Sequence, residues 1–387
     1  MSKSLRTHTA ALIGDVHGDL RALCTVLREV GAFNFGSEAD SRRDGRKWVA
    51  LETACSNAEC PMGLTRPPFP QTELLRSLRY AGNGAAGLAL VFCGDVIDSR
   101  RVGVTEGDDG FGVCGYQDSV ELVVETISRL CAQSAGAVTW IIGNHDVWPL
   151  LASCNTCRDY APLHQCDGRG YSGAFRRTLV NSLLSADACA VTVVNDVLCC
   201  HGGLCAAFVC QALKKAKPPK PGRCVAALVD AINTGFRGLL QAAADSREAQ
   251  VSRKEEAGQF AWLLTNDSPL MCRPVRDPEG FAALFVAATY PPQWAGLADE
   301  LAQLSFCVAH TMQSRGVSVA EFGRPGRARA PGPRVVPTDA PRLLSGQDLL
   351  FVDTGMSRGF GQHGRVIQVS RVTPDRWLEV TQNLVSD

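Results

Sequence analysis

Several short apolar runs in this chain end abruptly in Asp, Asn or His, and this pattern constrains the fold more than any other feature. The first run, residues 9–13, lacks the alternation of a half-exposed strand and is typical of a strand covered on both faces. It leads into Gly-Asp-Val-His-Gly at 14–18, where the glycines permit a tight turn. Because residues two apart on a strand project to one side, we expect Asp15 and His17 to face one site. A lone Asp-x-His pair is also common in ordinary turns.

The same arrangement recurs four more times along the chain. Apolar runs at 88–93, 137–142, 197–200 and 304–309 are followed, in turn, by Asp95 and Asp98, by Asn144 and His145, by His201, and by His310. Ligands of open α/β sheets lie beyond the carboxyl ends of the strands, so we expect these side chains to converge. Carboxylates, imidazoles and an amide carbonyl together suit divalent metals. The sequence therefore predicts a two-metal site, and the alternative is a set of separate turn residues.

Helical periodicity lies between the apolar runs and predicts an α/β arrangement. Residues 19–31 carry apolar side chains at i, i+3, i+4 and i+7, the pattern of an amphipathic helix. Further helices are expected at 71–81, at 171–185 and over much of 205–304, and closing strands are expected within 365–382.

Two segments lack an apolar period and are interpreted as insertions. The aperiodic residues are 34–70 and 323–342, and the insertions are placed at about 33–86, which includes the helix expected at 71–81, and at 323–342. The second is rich in Pro, Gly and Arg, which is typical of a mobile basic loop. Because a strand pattern resumes at residues 349–353, we expect one domain over 1–387 rather than two.

Composition excludes several classes of protein. Lys plus Arg equals Asp plus Glu at 39 each, so no global field attracts the chain to nucleic acid or to an anionic membrane, and we expect neither partner. No apolar stretch reaches the roughly 18 residues of a membrane span. The first six residues do not lead into a signal peptide, which favours an intracellular, cytoplasmic protein. The 17 cysteines are odd in number and several lie in apolar runs, so most are expected to be reduced core residues.

The five polar segments, taken in order, resemble the motifs of the calcineurin-like metallophosphoesterases and, within them, of the phosphoprotein phosphatase family. Those motifs are Gly-Asp-x-His-Gly, Gly-Asp-x-x-Asp, Gly-Asn-His-Asp/Glu, His-Gly-Gly and Gly-His, and the resemblance covers about residues 10–355. It implies a four-layer αββα sandwich of two mixed sheets flanked by helices, an α/β fold that some schemes class as α+β. Segments 268–273 and 353–357 are most similar to the bacterial-type Shewanella-like phosphatases.

The resemblance implies two divalent metal ions, Mn, Fe or Zn, and a water activated for in-line attack on a phosphate. By this likeness the first ion takes Asp15, His17 and Asp95. The second shares Asp95 as a bridge and adds three further ligands, Asn144, His201 and His310.

The resemblance also assigns the remaining site residues. His145 is expected to protonate the leaving oxygen, and Asp98 to hold its imidazole in the required tautomer. Asn144 and Arg273 are expected to bind the substrate phosphate, Arg273 as a clamp.

Three positions depart from the family pattern. Ser99 follows Asp98 where the family has Arg, and whether Arg100 replaces that arginine is left open. Ala309 stands where Gly usually precedes the last histidine. Met312 occupies the place where many nuclease-like members have a second histidine, which favours the phosphatase branch.

Alternatives remain open at this stage. The expected substrate is a phosphorylated protein or a small phosphorylated molecule such as a dinucleoside polyphosphate. The third hypothesis is a non-catalytic phosphate-binding scaffold. The sequence names no regulatory partner.

The lysine-rich run at 214–220 is either a solvated linker or a docking patch for an acidic partner. A loop with three cysteines and a histidine is either a structural zinc site or merely cysteine-rich. Its residues are Cys154, Cys157, His164 and Cys166.

Overall fold

The structure is a computed structural model. It describes residues 9–35, 45–51, 72–81, 87–97, 113–153, 173–220, 222–310, 317–321, 334–338, 340–353, 367–382 and 384. The strands are β1 Thr9–Ile13, β2 Phe33–Phe35, β3 Leu78–Tyr80, β4 Leu88–Phe92, β5 Val138–Trp140, β6 Val191–Val194, β7 Val197–Cys200, β8 Ser305–Val308, β9 Ser318–Glu321, β10 Arg334–Pro337, β11 Arg342–Leu343, β12 Leu349–Phe351, β13 Ser370–Val372 and β14 Trp377–Val380.

The α-helices of the described residues are α1 Leu20–Val30, α2 at 45–51, α3 Thr72–Ser77, α4 Val113–Gln133, α5 Asn144–Val147, α6 Gly173–Ser185, α7 Ala206–Leu213, α8 Cys224–Asp245, α9 Arg253–Ala257, α10 Pro278–Ala282 and α11 Leu297–Ala302. Short 3-10 helices lie at Trp148–Leu150, Ala261–Leu263, Ala283–Phe285, Ala287–Thr289 and Pro292–Trp294. None of the helices in the described ranges is long and apolar enough to cross a membrane.

Two six-stranded mixed sheets form the centre of the fold. The first has the order β11-β14-β13-β1-β4-β5, and in it β1, β4 and β5 run parallel. The second has the order β10-β9-β12-β8-β7-β6, with β7, β8 and β12 parallel. Each sheet therefore sends the carboxyl ends of neighbouring parallel strands to one edge.

An apolar layer lies between the two sheets. Leu12 and Val91 of the first sheet and Cys199 and Leu350 of the second belong to this inner core. The outer faces of the sheets pack against helices in a larger core, with α4 against β5 and α8 against β6. The predicted arrangement of two mixed sheets flanked by helices is confirmed.

Helix α1 shows how local sequence sets an element that begins directly after the first polar segment. The Asp19 side chain accepts a hydrogen bond from the Ala22 backbone N–H at 3.0 Å, which caps the helix start. Gly31 ends the helix in the left-handed conformation, with φ 72°. The predicted helix at 19–31 is confirmed to within one residue at each end.

Two sequence expectations were wrong in part. The helix predicted for 71–81 ends at Ser77, because residues 78–80 pair with β2 and the Tyr80 ring packs 5.7 Å from the Phe33 ring. The basic loop predicted for 323–342 contains β10 and the first residue of β11, and these strands pair with β9 and β14. In both places tertiary pairing outweighs local propensity. Residues 322–333 lie outside the described ranges, and the single-domain expectation stays a prediction.

Candidate metal centre

The carboxyl ends of five parallel strands from both sheets meet at one edge of the sandwich. The loops after β1, β4 and β5 in the first sheet and after β7 and β8 in the second carry the predicted polar residues. All of them except His310, which is half-buried, are at most 5% exposed. They are Asp15, His17, Asp95, Asn144, His145, His201 and His310.

The backbone at this edge adopts conformations that L-residues rarely take. His17, Asp95 and His310 have φ values of 47°, 46° and 52°, in the left-handed region. Asp15 and His17 therefore lie in a turn beyond β1 rather than on one face of a strand, which corrects the sequence interpretation. The turn is held by backbone hydrogen bonds from His17 N–H to the Asp95 carbonyl at 2.8 Å and from Gly18 N–H to the Val96 carbonyl at 2.7 Å. Residues in such conformations often mark functional sites.

Glycines allow the loops to approach each other. A Cβ on Gly143 would lie 2.2 Å from Asp95 Oδ1, and a Cβ on Gly94 would lie 2.5 Å from His201 Nδ1. Gly94 also has φ 100°. No side chain fits at either position, so the Gly-Asp and Gly-Asn pairs of the sequence are requirements of the site's packing.

One group of possible ligands consists of Asp15, His17 and Asp95. Each offers one donor atom, and these atoms all lie within 4.8 Å of one another. The His17 Nδ1 lies 3.3 Å from the Ile97 carbonyl, to which an Nδ1–H donates. The lone pair of Nε2 is then available at the site, 3.7 Å from Asp15 Oδ2. This histidine is oriented as metal-bound histidines are.

A second group shares Asp95 and adds His201, His310 and Asn144. The His201 Nδ1 lies 2.9 Å from the Cys93 carbonyl, which fixes the tautomer and leaves Nε2 for the site. Three other atoms that could bind a metal ion lie close to that Nε2. Asn144 Oδ1 lies at 2.9 Å, His310 Nδ1 at 3.1 Å and Asp95 Oδ2 at 3.2 Å. Four atoms that carry lone pairs thus lie close together, and a cation bound among them would stabilise this arrangement.

Burial and mutual charge set the ionisation of these groups. Burial raises the pKa of Asp15 well above its usual range, and the charges of Asp353 and Asp95 raise it further. Burial opposes ionisation of Asp95 too, but His145 and His201 outweigh it and hold that pKa well below the usual range. Asp95 is therefore the most strongly ionised carboxylate of the centre.

The two histidines of the second group differ in the same way. Burial lowers the pKa of His310 to about 2, with help from the charges of His201 and Arg273. Burial also disfavours the charged form of His201, but Asp95 outweighs it and raises the pKa. His310 is thus neutral at physiological pH, the form in which an imidazole binds a metal.

Buried polar atoms without partners provide a test of whether these residues suit a metal. Within the described residues, Asp15 Oδ1, Asn144 Nδ2 and His310 Nε2 are buried and have no hydrogen-bond partner. Leaving such atoms unpaired costs about 1–3 kcal/mol each. The carboxylate oxygen suits a divalent cation, and the amide N–H groups suit an anion such as phosphate. The donor set fits two divalent ions that share Asp95.

Asp146 connects two of the loops, and the sequence interpretation gave it no role. Its Oδ1 accepts hydrogen bonds from the backbone N–H groups of Val96 at 3.0 Å and Ile97 at 3.2 Å. Its Oδ2 accepts from Gly143 N–H at 2.9 Å and Trp140 Nε1–H at 3.3 Å. Burial and the charge of Asp95 raise the pKa of Asp146 to about 6. The signal in the sequence was a third polar side chain, Asp146, directly after Asn144 and His145 in a polar segment that has apolar residues on both sides.

His145 and Arg273 both lie close enough to the centre for their charges to act on His310. The His145 ring packs against Trp148, with centroids 4.5 Å apart, and its Nε2 lies 3.7 Å from Asp95 Oδ2. Arg273 is half-buried, and its charge acts on His310. Trp148 was also missed from the sequence. Asp353, buried beyond β12, contributes a further negative charge next to Asp15.

Ala309, one of the departures from the family pattern, packs into the core and keeps its backbone hydrogen bond. Its methyl group is fully buried in the inner core between the sheets, and its N–H donates to the His201 carbonyl at 2.8 Å. The expectations for Asp98, Ser99, Arg100 and Met312 lie outside the described residues, as does the possible zinc site at residues 154–166.

Comparisons with known proteins add little to this description. No family model and no curated protein matches the chain. Among solved structures, the chain is similar to a protein serine/threonine phosphatase from Saccharomyces cerevisiae that is described as similar to human phosphatase PP5. The identity is 13% and the TM-score 0.41, over 99% of this chain and 82% of that chain. At that TM-score the likeness supports neither fold nor function, which rest on the chain's own strands and side chains.

Proposed function

We propose that this protein is a metal-dependent phosphomonoester hydrolase that acts as a protein phosphatase of the phosphoprotein phosphatase type. One observation supports this proposal above the others. Loops from both sheets bring two ligand groups together around a shared Asp95, with unpaired amide hydrogens beside them. Such a pair of adjacent divalent sites is typical of phosphate-ester hydrolysis.

We assign the two metal sites by the donor atoms that meet in each group. Asp15, His17 and Asp95 would hold one divalent ion, and Asp95 would be shared with the second. The second would add three ligands, Asn144, His201 and His310. When bound, the ions supply charge that polarises the phosphate and lowers the pKa of a water molecule. The metals proposed are Mn, Fe or Zn.

The remaining chemistry belongs to the chain's own side chains. The Asn144 Nδ2 amide and the Arg273 guanidinium are proposed to donate hydrogen bonds to the phosphate oxygens, which orients the ester. His145 is proposed to donate a proton to the departing oxygen. Its backbone N–H donates to Asp95 Oδ1 at 2.9 Å, which keeps the imidazole beside the centre. Asp98 is proposed to orient that imidazole.

A hydrolysis assay on two point variants tests this proposal. The full chain with added Mn²⁺ is expected to hydrolyse an aryl phosphomonoester. His145→Asn should lower kcat by about 10²- to 10⁴-fold, the usual contribution of a general acid. Asp375→Asn, an exposed aspartate on the surface, is the matched control and should retain full activity. Absence of turnover with Mn²⁺, Fe²⁺ or Zn²⁺ would contradict the proposal and favour a binding scaffold.

A substrate panel separates the classes of phosphate ester. Phosphoserine, phosphothreonine and phosphotyrosine peptides are compared with dinucleoside polyphosphates at equal concentration. We expect kcat/KM to be highest for a phosphopeptide, and Arg273→Ala to raise KM more than it lowers kcat if the guanidinium binds ground-state phosphate. Higher kcat/KM for the dinucleoside polyphosphates would replace the protein phosphatase assignment.

A further inference from the structure

An open groove lies between helix α8 and the segments that flank it, apart from the metal centre. Its volume is about 570 Å³, within the range of ligand-binding clefts. Its lining includes Ala231, Thr234 and Gly235 of α8, and the aromatic side chains of Phe260 and Trp262, which pack beside that helix. None of the candidate metal ligands lines this groove.

The aromatic side chain of Trp262 packs against two helices. A Cβ on Gly235 would lie 2.5 Å from Trp262 Cζ2, so the indole rests directly on the backbone of α8. Trp262 also stacks on the Phe208 ring of α7, with centroids 5.7 Å apart and 20° between the planes. Trp262 is nevertheless only half-buried. A fixed, partly exposed tryptophan in a cleft is the residue type that most often anchors a protein partner.

The rim of the groove carries more positive than negative charge, with two lysines against one aspartate in its lining. Lys215 and Lys217 line the groove. Lys214 and Lys220 lie on either side of them in the sequence, and all four side chains are exposed. Across the described part of the chain, none of the four lysines is in an ion pair. The one acidic side chain in the lining is Asp230. The chain as a whole has no net charge, so this excess is a property of the groove.

We propose that this groove binds a short acidic segment of a partner protein, in which a bulky apolar side chain is flanked by Asp or Glu. The apolar side chain would pack against Trp262 and the α8 face, and the acidic residues would pair with Lys215 and Lys217. Apolar contact in a cleft with charges at its rim is how peptide anchors combine affinity with orientation. The proposal concerns binding alone and holds whichever reaction occurs at the metal centre.

Fluorescence anisotropy on the 387-residue chain tests this proposal. The probe is a fluorescein-labelled decapeptide with a Leu-Phe pair between two runs of Asp, and the first comparison peptide has Ala-Ala in place of Leu-Phe. We expect saturable binding of the first with a Kd below about 1 mM, and binding at least about tenfold weaker for the second. No saturable binding, or equal binding of the two peptides, would overturn the proposal, the latter by showing an unspecific anion site.

Variants locate the binding surface. Lys215→Glu with Lys217→Glu should weaken binding by about tenfold through lost pairing and new repulsion. The matched control, Arg247→Glu with Lys254→Glu, makes the same charge change at exposed positions outside the groove and should alter Kd by less than about twofold. Thr234→Trp, at an exposed position of α8, should block the cleft. Equal losses in the groove and control variants, or unchanged binding in Thr234→Trp with a native circular dichroism spectrum, would overturn the assignment.

Discussion

The middle of the central strands is buried and apolar, whereas the loops at their carboxyl ends are buried and polar. Between the sheets, Leu12, Val91 and Leu350 belong to a buried layer of apolar side chains. A few residues further on, buried acids and imidazoles face one another with three left-handed backbone positions among them. Burial of the apolar layer lowers the free energy of the folded state. It thereby offsets the cost of the strained backbone and the buried polar groups at the edge. Substitutions in the two regions should therefore have separable effects.

Asp95→Asn should give the largest effect, and on the centre alone. It removes the one ionised group that belongs to both ligand sets. We expect loss of most bound metal, measured by elemental analysis after Mn²⁺ loading, and a fall in kcat of more than about 10³-fold if both ions are needed. Asp375→Asn is again the control. Full retention of two equivalents of metal in Asp95→Asn would show that the groups are independent.

Leu350→Ala should affect stability instead. Leu350 is fully buried between the sheets, and its truncation should lower the free energy of unfolding by about 2–5 kcal/mol. The metal content per folded molecule should stay unchanged. Leu343→Ala, where the leucine is 54% exposed, is the matched control and should cost less than about 1 kcal/mol. If Leu350→Ala empties the metal sites while the protein remains folded, the two regions are not separable.

Asp146→Asn should produce an intermediate effect, because this residue acts on the ligands through the backbone. An amide replaces one acceptor oxygen, so at least one N–H among Val96, Ile97, Gly143 and the Trp140 indole loses its partner. We expect metal affinity to fall by about 10- to 100-fold, as for other residues that orient ligands. Calorimetric titration with Mn²⁺ measures it. Unchanged affinity together with lower stability would restrict Asp146 to a structural role.

The smallest effect concerns a buried thiol on the helix side of the first sheet. Burial raises the pKa of Cys131 to about 12 from a usual value near 9.0. The folded state then keeps a proton that the unfolded state loses, so this thiol's contribution is complete below about pH 9 and declines as the pH rises toward 12. Cys131→Ala should reduce the fall in unfolding free energy between pH 9 and 10 by about 1 kcal/mol. An unchanged slope in urea titrations would contradict the raised pKa.

Much of the fold could be predicted from sequence because the inner strands carry uniform apolar runs. Residues 88–92 and 197–200 have no alternating polar face, and glycine marks or closely follows their ends. The helix at 19–31 was predicted from its apolar spacing alone, and the structure shows that Asp19 and Gly31 cap it. Residues 78–80 could not be predicted, since only the partner strand at 33–35 decides against continuing the helix.

The site divides along similar lines. The grouping of Asp95, His201 and His310 was expected from strand ends, because carboxyl ends of parallel strands share an edge. The turn conformation of His17 depends on packing against the loop of Asp95, which is distant in sequence. The contact of Trp148 with His145 is local, but it depends on the helical turn that places residues three apart side by side. Asp146 was missed because its role lies in backbone N–H groups, which the sequence does not display.

The most direct test of the account is an anomalous difference map from crystals of the full chain loaded with Mn²⁺, recorded at the manganese edge. The account predicts two adjacent peaks, one beside Asp15 and His17, the other beside Asn144, His201 and His310, with Asp95 in contact with both. A single peak, or peaks that leave His201 and His310 without metal, would contradict it.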